Sequence, residues 1–300
     1  MVARAIYERS RTDRQLSPLW IALIILVNIV DVLVIVSLAL WSLDGSSPFV
    51  ATDSSSYIAL NTVSSLIGLL SMLVLAWFIY YLVKRQNDHY AREANLRTAL
   101  VSLIRAAAWS PERMYDIAPE MMALSTVERR QEQPRIVWFW VFVVLFPSIA
   151  SIALSASIQM SVSSDSSWQS IDDVAIVILL VSLMVALVSL ILTLYLLYFL
   201  TQTMLEHDGR WNAFAFNSRR AMSKLGFPPG RPYRMSRLPD RSMVLYIILT
   251  IFTGVFVLYW LYVLAKDPNE HFMYQWEFED NAMSAITPSE YSATSSVSRR

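Results

Sequence analysis

Residues 18–43 read PLWIALIILVNIVDVLVIVSLALWSL, an uninterrupted apolar run that decides the fold class. An α-helix needs about 20 apolar residues to span a bilayer. Comparable stretches follow at residues 57–83, 136–160 and 174–201, and a fifth at 242–264 is interrupted by Thr253 and Gly254. The hydrophobic periodicity is helical. The sequence therefore predicts an all-α membrane protein with about five transmembrane helices and amphipathic cytoplasmic helices between them.

The composition supports the same class. Apolar residues make up 55% of the 300-residue chain, charged residues 16%, and the mean hydropathy is +0.44. A soluble chain of this size cannot bury so much apolar surface, so an ordinary soluble enzyme and a disordered chain are both excluded. The net charge of +0 gives no basic field for nucleic acid, and the absence of cysteine excludes disulfides and thiolate metal sites.

The basic residues predict the orientation of the spans. Lys and Arg concentrate before residue 18 and in segments 84–135 and 202–241, whereas loops 44–56 and 161–173 contain none. The positive-inside rule places the basic segments, and with them the N-terminus, in the cytoplasm. The first span is too long for a cleavable signal peptide and is predicted to be a retained anchor. We therefore expect a multi-pass protein of the cell membrane.

A repeat with a shift of 118 residues is visible in the chain. Ungapped superposition pairs the second and fourth apolar stretches through a Tyr, His and Arg motif, and the fifth stretch carries a partial third copy. All three histidines of the chain occupy this one motif position. The repeat predicts a cytoplasmic N-terminus (1–17), two units of two spans each (18–135 and 136–241), a partial third unit (242–286) and a disordered tail (287–300). The motif residues are Tyr80, His89, Arg92, Tyr198, His207, Arg210, Tyr262 and His271.

The fifth stretch leaves two alternatives open. A simple crossing from cytoplasmic Arg241 would place His271 outside, on the opposite side from His89 and His207. A re-entrant hairpin that turns at Gly254 would instead keep His271 in the cytoplasm. Glycine permits such a break, but non-helical backbone at membrane depth must be covered by protein or water.

Asp31, near the centre of the first span, is the one clearly intramembrane charge predicted by the sequence. A carboxylate at this depth is costly unless it is protonated, solvated or paired. It is interpreted either as a proton or cation site on a transport path or as a polar clasp between helices. Pro147 predicts a kink in the third span, and Gly254 a hinge in the fifth. The polar side chains that could share the Asp31 site are Asn28, Asn61, Ser64, Ser71 and Ser148.

The three histidines have two interpretations. Three imidazoles form a known metal shell, and His89, His207 and His271 could converge around a pseudo-symmetry axis. Each also follows an acidic residue (Asp88, Glu206 and Glu270). The sequence favours a structural network of ion pairs over a metal site, so no metal or cofactor is assigned at this point.

The chain has no metalloprotease, phosphate-loop or nucleophile–base motif, so an enzyme is not expected and no catalytic residue is predicted. The favoured hypothesis is a membrane scaffold or accessory subunit. It would bind other protein subunits or a second copy of the chain through cytoplasmic amphipathic helices. The alternatives are a small transporter or channel using Asp31 and Asn28, and a metal or pH sensor using the histidines. The lipid bilayer is an expected partner, and nucleic acid is not.

The last apolar unit resembles a family of small prokaryotic membrane domains of unknown function. The similarity covers about 30 residues after Arg241 and consists of a Thr-Gly step followed by a Tyr-Trp-aliphatic-Tyr run. It implies a membrane domain and no particular activity. The matching residues are Thr250, Thr253, Gly254, Leu258, Tyr259, Trp260, Leu261 and Tyr262.

Overall fold

The structure is a computed structural model that describes residues 1–17, 19–43, 54–130, 132–147, 149–150, 168–228 and 238–287. Within α3, α4 and α8 some residues are described by their backbone alone. The described residues are all-helical and contain no β-strand, which confirms the predicted class of secondary structure. The helices are α1 (Val2–Tyr7), α2 (Arg9–Thr12), α3 (Leu19–Leu43), α4 (Ser54–Ala107), α5 (Pro111–Asp116), α6 (Ala118–Arg129), α7 (Val137–Pro147), α8 (Trp168–Lys224), α9 (Met243–Thr253) and α10 (Phe256–Ile286).

Two helices, α4 and α8, dominate the architecture. They contain 54 and 57 residues, which corresponds to about 80–85 Å at 1.5 Å per residue and is far longer than a bilayer requires. By length and composition both can cross a membrane, and their most apolar windows are only 28% and 17% buried. Leucines such as Leu70 and Leu183 are exposed along the apolar part of each helix.

Beyond the apolar part, each long helix continues into a polar and amphipathic part. The predicted spans end near Val83 and Thr201, and the helices run on without a break. The prediction that the second span extends as an amphipathic helix is thus matched by α4. Continuous helices of this kind connect the apolar part of the molecule rigidly to its polar part.

The described residues pack into two apolar clusters. The first joins α3, α4, α7, α8, α9 and α10 and includes Phe78, Leu200 and Trp260. The second joins α1, the polar ends of α4 and α8, and the end of α10, and includes Leu100 and Trp211. Along α4, α8 and α10 the two clusters are separated by a short polar stretch, and the three histidines lie in that stretch.

Helices α9 and α10 form a hairpin. The chain reverses at Gly254, whose φ of +63° is a conformation that glycine adopts without steric cost. The two ends of the hairpin meet again at its base, where Arg241 Nη2 lies 2.7 Å from Asp267 Oδ1. Tyr246 on α9 packs edge-on against Trp260 on α10. The stretch 242–264 is therefore two antiparallel arms and not one continuous helix.

Candidate metal centre

Helices α4, α8 and α10 each contribute one histidine to a common point. His89, His207 and His271 are fully buried, and their ring centroids lie 5.3, 5.4 and 5.0 Å apart. The arrangement is nearly an equilateral triangle. The three motif positions identified in the sequence thus meet in space, which includes the histidine of the partial third copy.

Glu93 completes a group of four possible ligands. It lies one helical turn after His89, on the same face of α4, and it is fully buried. One ligand atom from each of His89, Glu93, His207 and His271 lies within 4.8 Å of the others. We call these four residues the ligand cluster. Glu93 Oε2 lies 2.8 Å from His207 Nε2 and 3.5 Å from His89 Nε2.

Two of the inward-facing imidazole nitrogens of the ligand cluster lack a close hydrogen-bonding partner, namely the Nε2 atoms of His89 and His271. The third, His207 Nε2, faces Glu93 Oε2 at 2.8 Å, and Glu93 Oε1 lies 3.2 Å from Arg97 Nε. An unsatisfied buried polar atom costs about 1–3 kcal/mol. The two unsatisfied nitrogens beside the Glu93–His207 pair indicate a position that a metal ion would satisfy.

The outer nitrogen of each imidazole faces a carboxylate. The Nδ1 atoms of His89, His207 and His271 lie 2.9, 2.8 and 2.7 Å from Asp13, Glu132 and Asp208, respectively. A carboxylate at Nδ1 favours a proton on that nitrogen, so that in the neutral imidazole the lone pair is on Nε2. This is the outer-shell arrangement that metal-binding histidines use.

Two of these carboxylates also accept hydrogen bonds from an arginine. Arg92 Nη2 donates to Asp13 at 2.7 Å, and Arg210 Nη2 donates to Glu132 at 2.8 Å. In each case the arginine lies three residues after the histidine that binds the same carboxylate. The His-x-x-Arg motifs of α4 and α8 therefore make the same contacts. In α10 the corresponding position is Tyr274.

The charges around the ligand cluster hold its carboxylates ionised. Burial raises the pKa of Glu132 and Asp13, but His207 beside Glu132, and His89 and Arg92 beside Asp13, hold both pKa values well below their usual range. Burial lowers the pKa of His207, yet attraction to Glu93 and Glu132 raises it to about 9. Burial lowers the pKa of His271 to about 4. The raised pKa of His207 keeps its imidazole protonated near neutral pH, where it pairs with Glu93 and Glu132.

The donor set fits a divalent transition metal. Imidazole with carboxylate suits Zn²⁺ and neighbouring first-row ions, whereas Ca²⁺ and Mg²⁺ prefer oxygen-only shells. Zn–N bonds of about 2.0–2.1 Å place the ligand atoms of a tetrahedral shell roughly 3.3 Å apart. The four ligand atoms lie within 4.8 Å of one another, so binding of such an ion would require them to move about 1.5 Å closer together.

The acids that precede the histidines in sequence face away from the ligand cluster. Asp88 pairs with Lys84, Glu206 lies near Arg210, and Glu270 pairs with Lys266, all on partly exposed surface. An ion-pair network is present, but its carboxylates come from elsewhere in the chain. Adjacent residues on a helix point in directions about 100° apart, so a neighbour in sequence is seldom a neighbour in the site.

Asp13, Glu132, Asp208 and Glu93 were missed by the sequence analysis. A signal for two of them exists, because Asp13 and Glu132 precede their histidines by 76 and 75 residues. Each therefore lies shortly before one of the two proposed repeat units, or at its end, at nearly the same distance from the histidine it binds. Glu93 could have been found as the acid one turn after His89.

The other predicted residues are dispersed. Tyr80 stacks on Trp77 near the start of the polar part, and Tyr198 and Tyr262 are partly exposed. The Asn28 side chain donates to the backbone oxygen of Ile24 at 2.7 Å. Pro147 lies on α7 and is half-buried, as is Ser71. Ser148 and the side chains of Asp31, Asn61 and Ser64 lie outside the described residues.

Comparison with known proteins gives no relative for this fold or site. No protein-family model matches the chain, and neither a curated protein nor a solved structure shows significant similarity to it.

Proposed function

We propose that this protein is a multi-pass membrane protein that binds a divalent transition-metal ion, with Zn²⁺ as the reference ion, in its cytoplasmic helical part. The ligands are His89, Glu93, His207 and His271. One observation carries the proposal: three buried imidazoles and Glu93 each bring a ligand atom to within 4.8 Å of the others, while a carboxylate faces each Nδ1. Four protein ligands leave no open position, which is typical of a structural or sensing site.

The membrane topology forms part of the same proposal. The basic segments before residue 18, at 84–135 and at 202–241 lie in the cytoplasm, and the ligand cluster lies just beyond the apolar parts of α4 and α8. His89 follows Val83 by six residues, which is about 9 Å along the helix. A bound ion would join three helices where they leave the bilayer.

Metal content measured on the purified full-length chain tests the proposal. In detergent, after dialysis against Zn²⁺ and removal of excess ion, we expect about one equivalent per chain. Cobalt substitution should give the absorption bands of a tetrahedral site. Glu93→Gln should lose most of the bound metal, whereas Glu270→Gln, a matched change on the partly exposed face of α10, should retain it. Absence of bound metal in the folded wild-type chain would overturn the proposal.

The site is connected to the N-terminal segment (residues 1–17), which supports a sensing role. Asp13 in this segment binds His89 and also accepts from Trp276 Nε1 at 2.8 Å. Arg85 Nη1 donates to the backbone oxygen of Arg14 at 3.4 Å. The side chain of Asn269 accepts from the backbone amide of Leu16 and donates to its backbone oxygen. A metal ion on His89 makes its Nδ1–H a stronger donor and thereby tightens the hold on Asp13.

Chelation of the metal is therefore expected to loosen the N-terminal segment. Ala5 lies on α1 and is 5% exposed, and the chain contains no cysteine. The thiol of Ala5→Cys should react with a maleimide at least tenfold faster after chelation, because opening of the segment limits the reaction. Tyr7→Cys, at a 73% exposed position on the same helix, should react equally fast with and without metal. An unchanged rate for Ala5→Cys after demonstrated metal loss would contradict the coupling.

The scaffold function expected from the sequence stays a second proposal. Its support lies in the large apolar side chains exposed on and beside α5 and α6, namely Trp109, Tyr115 and Met122, which are 77%, 83% and 73% exposed. Exposed clusters of this kind are typical of protein-binding surfaces.

A further inference from the structure

The hairpin of α9 and α10 has the length of half a membrane. Helix α9 contains 11 residues, and the arm of α10 from Phe256 to Asp267 is of similar length, so each arm is about 16–18 Å long. The hydrocarbon core of a bilayer is about 30 Å thick. Neither arm can cross it, but the pair can reach its midplane and return.

The outer surface of the hairpin is apolar from base to tip. Val244, Leu245, Ile248 and Ile251 on α9 are 67%, 50%, 44% and 53% exposed, and the inward face consists of Met243, Tyr246 and Thr250. The turn is the most exposed part, where Phe252 reaches 83% and Val255 71%. A turn of a soluble protein would carry polar residues at this place, whereas these side chains match lipid chains.

The turn satisfies its own backbone donors. The Gly254 amide donates to the oxygen of Thr250 at 2.9 Å, and the Val255 amide to that of Thr253 at 2.6 Å. Thr253 Oγ1 accepts from the Phe256 amide at 3.2 Å and donates to the Leu249 oxygen at 2.7 Å. Hydrocarbon offers no hydrogen-bonding partner, so these internal contacts remove the cost of unsatisfied amide donors at the turn.

The charged groups of the hairpin lie at its base. Arg241 pairs with Asp267 through two contacts of 2.7 and 3.2 Å, and its Nη1 donates to the Tyr246 hydroxyl at 3.2 Å. Four residues beyond Asp267 the chain reaches His271, which contacts His89 and His207. The hairpin thus begins and ends at the level of the ligand cluster, on one side of the molecule.

We propose that residues 242–266 form a re-entrant hairpin that enters the cytoplasmic leaflet, with the Phe252–Val255 tip near the bilayer midplane. Its partner is the acyl-chain region of that leaflet. The segment after Asp267 then lies in the cytoplasm, so the fifth apolar stretch is not a crossing. The hairpin geometry stands independently of any bound metal.

Single-cysteine variants of the cysteine-free chain test this placement in reconstituted vesicles. A fluorophore on Phe252→Cys should be quenched at least fivefold more by lipids carrying the quencher deep in the acyl chain than by aqueous iodide. On Lys266→Cys, at the base, iodide should be the better quencher. Both positions are exposed on the protein surface, so the substitutions are compatible with folding.

Sidedness completes the experiment. An impermeant thiol reagent should label Lys266→Cys from the same side as Lys84→Cys. Labelling of these two variants from opposite sides would show a crossing and overturn the proposal. Strong iodide quenching at Phe252→Cys would overturn it as well, because it would place the tip in water. Ile248→Cys, halfway along α9 and 44% exposed, should show quenching between the two extremes.

Discussion

Replacing His207 by alanine is expected to lower the affinity for Zn²⁺ by about 1000-fold, the largest single effect at the proposed site. His207 supplies one of four ligands, and it also occupies the place closest to Glu93, with Nε2 2.8 Å from Oε2. A three-ligand shell binds more weakly because the lost Zn–N bond is replaced by water. Competition against a chromophoric chelator of known affinity measures the change on the detergent-solubilised chain.

Outer-shell substitutions provide a graded control for this prediction. Asp208→Asn removes the charge that faces His271 Nδ1 and should lower the affinity by roughly 10–100-fold, as is usual for such partners. Glu206→Gln changes a residue next to His207 whose side chain is 55% exposed and should leave the affinity unchanged. Equal affinities for all three variants would contradict the assignment of the ligands, even if the chain binds metal elsewhere.

The positions of the ligands were largely predictable, but their partners were not. The shared spacing from Tyr80 to His89, Tyr198 to His207 and Tyr262 to His271 marks equivalent places on three helices, and equivalent places in a repeat converge when its units pack around an axis. The carboxylates that orient the imidazoles come from segments 63–76 residues away. Helical periodicity contains no information on contacts across that distance.

In the fold, too, local features could be predicted from the sequence and long-range contacts could not. Apolar run length predicted the two long apolar helices α4 and α8, whose length and composition suffice to cross a bilayer. The reversal at Gly254 was left open by the sequence, since a crossing and a hairpin have the same apolar composition. What distinguishes them is the pairing of Arg241 with Asp267, a contact between residues that become neighbours only after the chain has turned.

Replacing Arg92 by methionine is expected to destabilise the fold by about 3–5 kcal/mol. The Arg92 side chain is buried between Asp13 and Glu279, at 2.7 and 2.6 Å. Both carboxylates are fully buried, so the substitution leaves them without their shared counter-ion. Urea unfolding in detergent, followed by circular dichroism, measures the loss. Arg4→Met, which breaks the exposed pair with Glu8, should change the stability little.

The stability lost in Arg92→Met should increase with pH. Burial raises the pKa of Glu279 to about 7 in the folded chain, although Arg92 opposes the shift. A carboxyl whose pKa is higher in the folded chain than its unfolded value near 4.5 costs stability as the pH rises above that unfolded value. Without Arg92 the folded pKa rises further, so the destabilisation should be larger at pH 8 than at pH 5.

A second substitution separates the missing charge from the missing packing. If the cost of Arg92→Met comes from the stranded carboxylates, adding Glu279→Gln should restore part of the stability at pH 8 and little at pH 5, where Glu279 is already protonated. If packing dominates, the double variant should be no more stable than Arg92→Met at either pH. The structure supports the explanation by lost charge, because Arg92 donates to a carboxylate of the N-terminal segment and to one of α10. Its guanidinium therefore joins three parts of the chain that meet beside the ligand cluster.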